Sequence, residues 1–218
     1  MEPFRLAALV VAGLLASGAA VAASAHGERQ GVFEGHAAEH GRRHGATEAY
    51  SPNEYMNQRS FASLVAGFES PERMAWQRPD VLLDLLGDLD GRTVADIGSG
   101  TGFLAFRMAE RGARVLCIDI DERFLAYILG KRDALGLGER IDPRLSPPDR
   151  PALGAGEVDL VVTVNTYHHI EDRVAYFRLV RQALRPEGRL VVVDFREGEL
   201  PVGPAPEMKI DSARIAAE

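Results

Sequence analysis

The chain has 218 residues, of which 46% are hydrophobic and 26% charged, which is typical of a folded globular domain and not of a disordered or multi-span membrane protein. Its formal net charge of −7 argues against nucleic-acid binding, because that function needs a basic surface. Its single cysteine, Cys117, excludes an internal disulfide and any CxxC zinc or redox site. At this length we expect one hydrophobic core.

The first 25 residues have the pattern of a secretory signal peptide. A short, weakly charged start precedes an apolar run over 6–15, and small residues continue to an A-x-A cleavage pattern at 23–25. The apolar and small residues together cover about 20 positions, which is enough to cross a bilayer, so an uncleaved anchor is the alternative. We therefore predict export to the periplasm after cleavage, or a membrane anchor that leaves the domain facing the cytoplasm.

Residues 26–54 predict a linker, because they are rich in His, Gly and Ala and show no sustained apolar period. Within this linker, His36, His40 and His44 would share one face of a helix if the segment were helical. Three imidazoles can bind zinc, nickel or copper, but two nearby glycines disfavour a helix. A solvated tether and an exported metal-binding protein are the two interpretations of this segment, and we assign no metal site to the folded domain.

Residues 55–218 predict a single α/β domain. Ser70 and Pro71 indicate a helix start, and Pro79 should interrupt that helix. Downstream, short apolar strands alternate with amphipathic helices, a pattern that favours a doubly wound, mostly parallel sheet covered on both faces. The predicted strands are 94–97, 114–118, 140–142, 159–164 and 190–195, and the predicted helices are 103–110, 122–135 and 173–184.

A glycine-rich loop joins the first of these strands to the next helix. Gly98, Gly100 and Gly102 would let the backbone approach a ligand, and the helix start adds free N–H groups. Their spacing is not the G-x-G-x-x-G of dinucleotide-binding folds, which argues against a nicotinamide oxidoreductase. Asp96 suits a cation better than a pyrophosphate, and Asp119 ends the second strand, where such folds bind ribose hydroxyls. The loop therefore predicts a positively charged nucleoside ligand.

Four segments, VADIGSGTG, VLCIDID, DLVVTVNTYHHI and LRPEGRLVVVDF, resemble in order and spacing the motifs of class I S-adenosylmethionine-dependent methyltransferases. The segments ERMAWQRPD and YHHIEDR are similar to a branch of small, often exported bacterial members. The resemblance implies a Rossmann-like fold, S-adenosylmethionine as methyl donor and a small-molecule acceptor. It implies membrane contact only through an uncleaved leader.

Members of this class close the sheet with two more strands after a further helix, and the residues up to 218 contain only the start of such a helix. We therefore expect a fold without its C-terminal hairpin, with one sheet edge left open. The alternative function is a truncated protein that binds the cofactor without efficient catalysis.

The same resemblance assigns roles to individual residues. Asp119 would bind the ribose hydroxyls, Ile120 would pack near the adenine, and Asn165 would face the cofactor and the acceptor. Asp96 and the backbone of Gly98, Gly100 and Gly102 would hold the methionine part of the cofactor, with Ser99 and Thr101 in the same cofactor-binding loop.

Independently of the resemblance, His168 and His169 follow the fourth strand, where such folds bind ligands, so one of them, for which we choose His168, would accept a proton from the acceptor. Alternatively, one histidine of the pair caps or packs against the next helix while the other is solvated. Tyr167 would line the acceptor pocket or simply pack.

Overall fold

The computed structural model describes residues 8–12, 21–23, 53, 56 and 58–218. The histidines of the predicted tether, His36, His40 and His44, lie outside the described residues. Among the residues that are described, no helix has both the length and the apolar character needed to cross a membrane.

A seven-stranded sheet organises the fold, with strand order β2-β1-β7-β6-β3-β4-β5. The five strands from β3 to β7 pair in parallel and have the order 3-2-1-4-5 among themselves. This order reverses direction next to the first strand, as in doubly wound folds, so the predicted fold class is confirmed. The strands are β1 Ala8–Ala12, β2 Val21–Ala23, β3 Thr93–Ile97, β4 Arg114–Asp119, β5 Ile141–Leu145, β6 Val158–Val164 and β7 Leu184–Phe195.

Helices flank the sheet and begin at residues suited to that position. Asp121 and Asp172 each accept a backbone N–H at the start of a helix, which satisfies a donor that the helix leaves free. Pro79 separates two helices as predicted, with Arg78 between them at a φ of 48°. The helices are α1 Phe61–Phe68, α2 Pro71–Gln77, α3 Pro79–Leu86, α4 Ala105–Glu110, α5 Glu122–Ala134, α6 Arg173–Ala183 and α7 Ser212–Ala217.

The core lies in two apolar layers, one on each face of the sheet. Alternate residues of one strand enter different layers: in β4, Val115 and Cys117 pack with α3, α4 and α5, whereas Leu116 and Ile118 pack with α6. Cys117 is fully buried, and burial raises the pKa of its thiol well above the ordinary value. Cys117 is therefore an inert packing residue, as its place in an apolar strand predicts.

The outer edge of β7 differs from the expectation of an open edge. Strand β1 pairs with β7 in antiparallel register from Ala8 opposite Phe195 to Ala12 opposite Val191, and β2 pairs with β1. The open-edge prediction is wrong because residues from the beginning of the chain supply the missing backbone partners. Both added strands lie inside the predicted leader, so its cleavage would uncover β7; the cleavage itself stays a prediction.

Candidate active site

The glycine loop is held tightly at the carboxyl ends of β3 and β4. Gly98, Gly100 and Gly102 all have a left-handed backbone, with φ values of 74°, 52° and 75°. The N–H groups of Gly98 and Ser99 both donate to the Ile118 carbonyl, at 2.8 and 3.1 Å. These bonds bring the loop against the strand that ends in Asp119, so the two predicted ligand-binding segments are adjacent.

Two carboxylates meet at this edge of the sheet. Asp96 is only 3% exposed, and burial raises its pKa to about 7, with Asp119 adding to the rise and Arg73 opposing it. Asp119 accepts the Gly100 N–H at 2.8 Å and the Asp121 N–H at 3.0 Å, yet burial still raises its pKa. A ligand cation placed here would favour the charged form of both acids.

Arg73 of α2 places a partly buried cation near Asp96, close enough for its charge to act on that acid. Its Nη1 donates to the Phe68 carbonyl at 2.9 Å, its Nε donates to Gln77 at 2.5 Å, and its guanidinium lies 4.2 Å from the centre of the Phe103 ring. Burial lowers its pKa to about 10, although the charge of Asp96 works in the opposite direction. An acid and a guanidinium in the same part of the site suit a zwitterionic amino-acid group, with the acid for the ammonium and Arg73 for the carboxylate.

Sequence analysis missed Arg73. It lies more than 20 residues before the glycine loop, on a helix whose pattern carries no ligand-binding motif. The only available signal was a basic residue in the segment ERMAWQRPD, on which part of the family resemblance rests.

Five buried polar side-chain atoms have no hydrogen-bond partner among the described residues: Glu69 Oε1, Ser99 Oγ, Thr101 Oγ1, Thr163 Oγ1 and Asn165 Oδ1. Asn165 directly follows β6 with a φ of 55°, and its N–H donates to the Val193 carbonyl at 2.8 Å. Buried polar groups normally have partners, so Ser99 Oγ and Asn165 Oδ1, which lie at the carboxyl edge of the sheet, suit polar atoms of a ligand. Ile120, 51% exposed directly after Asp119, adds an apolar surface for a nucleobase. The site therefore fits an adenosyl amino acid.

Two predicted loop residues are used inside the protein. Thr101 is fully buried and faces Glu69, which directly follows α1; burial alone would raise the Glu69 pKa, but this hydroxyl and Lys131 hold it below the usual value. At Gly102, a Cβ would stand 2.7 Å from the Phe106 ring. The contacts of Thr101 and Gly102 favour a role in packing the loop rather than in touching a ligand.

His168 follows β6 in a short 3-10 turn, Tyr167–His169, and forms a buried pair with Asp194 at the end of β7. Its Nδ1 lies 2.8 Å from Asp194 Oδ1 and 3.0 Å from Asp194 Oδ2. The two side chains are only 5% and 4% exposed. Because a carboxylate only accepts hydrogen bonds, Nδ1 carries the proton and Nε2 keeps the lone pair.

The other two residues of this turn serve packing. His169 Nδ1 lies 3.1 Å from Asn53 Oδ1, and burial lowers the His169 pKa to about 4, which keeps the ring neutral. Tyr167 stacks on Phe177 with ring centres 5.1 Å apart and donates to Glu218 at 2.7 Å. The His168 side chain is 5% exposed and His169 is partly buried. The contacts of Tyr167 favour a packing role, and the roles assigned to the two histidines stay predictions.

Aromatic rings continue from His168 toward α2. The Phe195 ring centre is 6.2 Å from that of His168, and the Trp76 ring centre is 6.0 Å from that of Phe195. We call these three residues the aromatic wall. The rings are tilted to one another by 66° and 30°, and together they give this side of the site an apolar, aromatic lining.

The order 3-2-1-4-5 of the parallel strands is typical of the class I methyltransferase fold, and residues 95–190 match the model of a methyltransferase domain family. The crystal structure of a SAM-dependent methyltransferase from Aquifex aeolicus has the same fold, with a TM-score of 0.67 at 22% identity, over 73% of this chain and 85% of that chain. The methyl donor of this family is S-adenosylmethionine.

The sequence relatives are more specific. The ubiquinone biosynthesis O-methyltransferase of Bordetella avium (strain 197N) is 31% identical over 120 residues, covering 55% of this chain and 47% of that protein. The enzyme of the same name from Leptothrix cholodnii is 32% identical over 121 residues, covering 55% and 48%. The chain spans about half the length of the curated relatives it matches.

Proposed function

We propose that this protein transfers the methyl group of S-adenosylmethionine to a hydroxyl oxygen of a small, flat molecule. The observation that carries the proposal is the buried His168–Asp194 pair. It lies at the same carboxyl edge of the sheet as the glycine loop. Asp194 holds Nδ1, so the neutral imidazole has its lone pair on Nε2. O-methyl transfer is also the activity in the names of the relatives from Bordetella avium and Leptothrix cholodnii.

The residues around the loop would hold the cofactor. Asp96 and Arg73 would bind the ammonium and carboxylate of the methionine part, and Asp119 the ribose hydroxyls. Asn165 Oδ1 would find in the ligand the partner that the protein does not supply. When bound, S-adenosylmethionine supplies an already activated electrophilic methyl group, so the protein chiefly aligns the acceptor and removes its proton.

The hydroxyl group that receives the methyl group loses a proton, so the site needs one base. The acceptor oxygen forms the new C–O bond as the C–S bond breaks, the C–S electron pair stays on sulfur, and the hydroxyl proton passes to His168 Nε2. The aromatic wall would lie against a planar acceptor.

Transfer of labelled methyl groups to catechol, aniline and thiophenol tests the choice of atom. We expect label to enter catechol as an O-methyl ether and to be absent from the aniline and thiophenol products. Exclusive labelling of the amine or thiol would contradict the proposal.

His168→Ala should lower kcat by about 100-fold or more, which is the usual contribution of a general base. The affinity for S-adenosylhomocysteine, measured by calorimetry, should stay within about threefold, because His168 lies on the acceptor side. Tyr167→Phe is the matched control: it removes only the bond to Glu218 and keeps the ring stack, so kcat should change by less than about threefold. If Tyr167→Phe lowered kcat more than His168→Ala, Tyr167 rather than His168 would be the base.

Asp119→Ala should weaken S-adenosylhomocysteine binding by about 10-fold or more, since hydrogen bonds to a charged group each contribute about 1.5–3 kcal/mol. The loss has two sources: the ribose contact and the loop anchor at the Gly100 N–H. Asp121→Ala is the control, because Asp121 is the neighbouring acid that caps α5. Titration calorimetry of both variants gives the result, and equal losses would show that the assigned ribose contact is absent.

A further inference from the structure

We infer that Asp194 is a positioning residue that fixes the tautomer of His168 and stabilises the imidazolium formed when His168 takes the acceptor proton. The inference rests on the proposed function, and it assigns a role to a residue outside the predicted site.

The first argument is the way in which the Asp194 carboxylate is held. It accepts the N–H of Phe195 at 2.8 Å and the N–H of His168 at 3.0 Å, in addition to its two contacts with the imidazole. Four hydrogen-bond contacts from two segments leave the carboxylate one orientation. The ring bound to it is therefore oriented as well.

The second argument comes from the sheet. Strands β6 and β7 run parallel with Val164 opposite Val193, so the residues directly after this pair meet at the same carboxyl edge. One side carries Asn165 and the turn with His168, and the other carries Asp194. The side chain of Thr166, within that turn, packs on Gly98 of the glycine loop. The His168–Asp194 pair, which we call the dyad, is thus connected to the cofactor-binding loop, because Thr166 lies only two positions before His168.

The third argument is electrostatic. Both members of the dyad are almost fully buried, and a buried cation without a counter-charge is strongly disfavoured. The neighbouring His169 ring, whose centre is 4.3 Å from that of His168, stays neutral, so it adds no second positive charge, and an imidazole supplies no negative one. Asp194 is therefore the group that compensates the charge on His168 after the proton has moved.

A purely structural role for Asp194 would consist of its two bonds to backbone N–H groups, and the tautomer of His168 would then not depend on it. Nitrogen-15 NMR of the ligand-free protein separates these roles, because imidazole nitrogens with and without a proton differ in shift and in coupling pattern. We expect the wild-type His168 to carry its proton on Nδ1. A wild-type spectrum with the proton on Nε2 would overturn the inference without any variant.

Asp194→Asn should move the tautomer population toward Nε2–H, because an amide has one acceptor oxygen for the donors that the two carboxylate oxygens now serve. Asp172→Asn, at the cap of α6 and outside the site, is the matched control and should leave the His168 signals unchanged. An unchanged tautomer in folded Asp194→Asn protein would contradict the assignment.

Two phenols of different acidity test the role in turnover. With phenol, which keeps its proton at assay pH, Asp194→Asn should lower kcat by about 100-fold or more, the kind of loss caused by a wrong histidine tautomer. With a dinitrophenol that is already ionised, the loss should fall below about threefold. Equal losses for the two acceptors would contradict a role in proton removal.

The outcomes also separate the two proposals. If the wild-type protein methylates no hydroxyl at all, the proposed function fails, while the tautomer measurement still decides whether Asp194 orients His168. If hydroxyls are methylated but the variant loses the same factor with both phenols, only the inference about Asp194 fails.

Discussion

Asp96→Asn is expected to stabilise the ligand-free protein while it removes most of its affinity for S-adenosylmethionine. The carboxyl of Asp96 is buried, and burial raises its pKa from the ordinary 3.8 to about 7. Asparagine has nearly the same shape and no charge to desolvate. The acid is thus placed for the ligand cation at a cost to the stability of the empty protein.

The pH dependence follows from the two pKa values. Below pH 3.8 the carboxyl is protonated in both the unfolded and the folded chain; between 3.8 and about 7 only the folded chain keeps the proton, so stability falls as the pH rises through this window. The gain from Asp96→Asn should therefore be small near pH 4 and level off above pH 7. Three pKa units set its upper limit at about 4 kcal/mol. Loss of the counter-charge to partly buried Arg73 reduces the gain below that limit.

Urea unfolding at pH 5 and pH 8 measures this difference. Asp159→Asn is the matched control with the opposite sign, because that carboxylate accepts the Thr93 N–H at 2.8 Å and an Arg185 N–H at 2.7 Å, and its pKa is lowered. Its replacement should destabilise the protein at pH 8. If Asp96→Asn also destabilises the protein at pH 8, the charged Asp96 carboxylate is stabilised by its surroundings more than its burial indicates.

Calorimetry with S-adenosylmethionine provides the second half of the test. The wild-type affinity should fall as the pH drops below about 7, because a protonated Asp96 no longer attracts the ammonium group. In Asp96→Asn the affinity should be low at every pH. Wild-type affinity in the variant would remove Asp96 from the cofactor site.

The fold was predictable because the spacing of apolar residues within each short segment indicates whether that segment is a strand or a helix. The five parallel strands and the break at Pro79 both follow from neighbours within a few residues. The glycine loop was also predictable, since its spacing and the flanking acids form one continuous segment. The observed ends of the elements differ from the predicted ones by a few residues, and β7 begins at Leu184, six residues before the predicted start at 190.

The missed features depend on distant parts of the chain. Arg73 comes near Asp96 only through the packing of α2 on the loop, and Asp194 meets His168 only because β6 and β7 lie side by side. The pairing of β1 with β7 joins residues about 180 positions apart. None of these contacts has a local pattern, so a single sequence does not indicate them.

Gly98→Ala is expected to affect stability and binding together, because Gly98 has both a restricted backbone and no space for a side chain. Its φ is 74°, and a Cβ would stand 2.2 Å from Thr166 Oγ1 and 2.8 Å from Thr166 Cβ. The left-handed backbone costs about 1–2 kcal/mol for alanine, and the steric overlap costs about 1–3 kcal/mol more. Movement of Thr166 would also displace Asn165 and the His168 turn, so cofactor affinity and kcat should both fall.

Gly136→Ala isolates the backbone contribution. Gly136 has a similar φ of 67° with nothing within 4 Å of a Cβ, so this variant should lose only about 1 kcal/mol, and methyl transfer should be unchanged. The double variant Gly98→Ala/Thr166→Gly removes the overlap and keeps the strained backbone. Compared with Thr166→Gly alone, it should lose about as much stability as Gly136→Ala does.

Urea unfolding of the wild type, Gly98→Ala, Thr166→Gly and the double variant completes a double-mutant cycle for Gly98 and Thr166. We expect a favourable coupling of about 1–3 kcal/mol, the size of the overlap that Thr166→Gly relieves. Strictly additive losses would mean that Thr166 moves aside without cost, and the turn that carries His168 would then not be fixed by the glycine loop. A clear coupling would show that the cofactor loop and the acceptor-side turn are packed as one unit, which is what methyl transfer in a fixed line between two bound molecules requires.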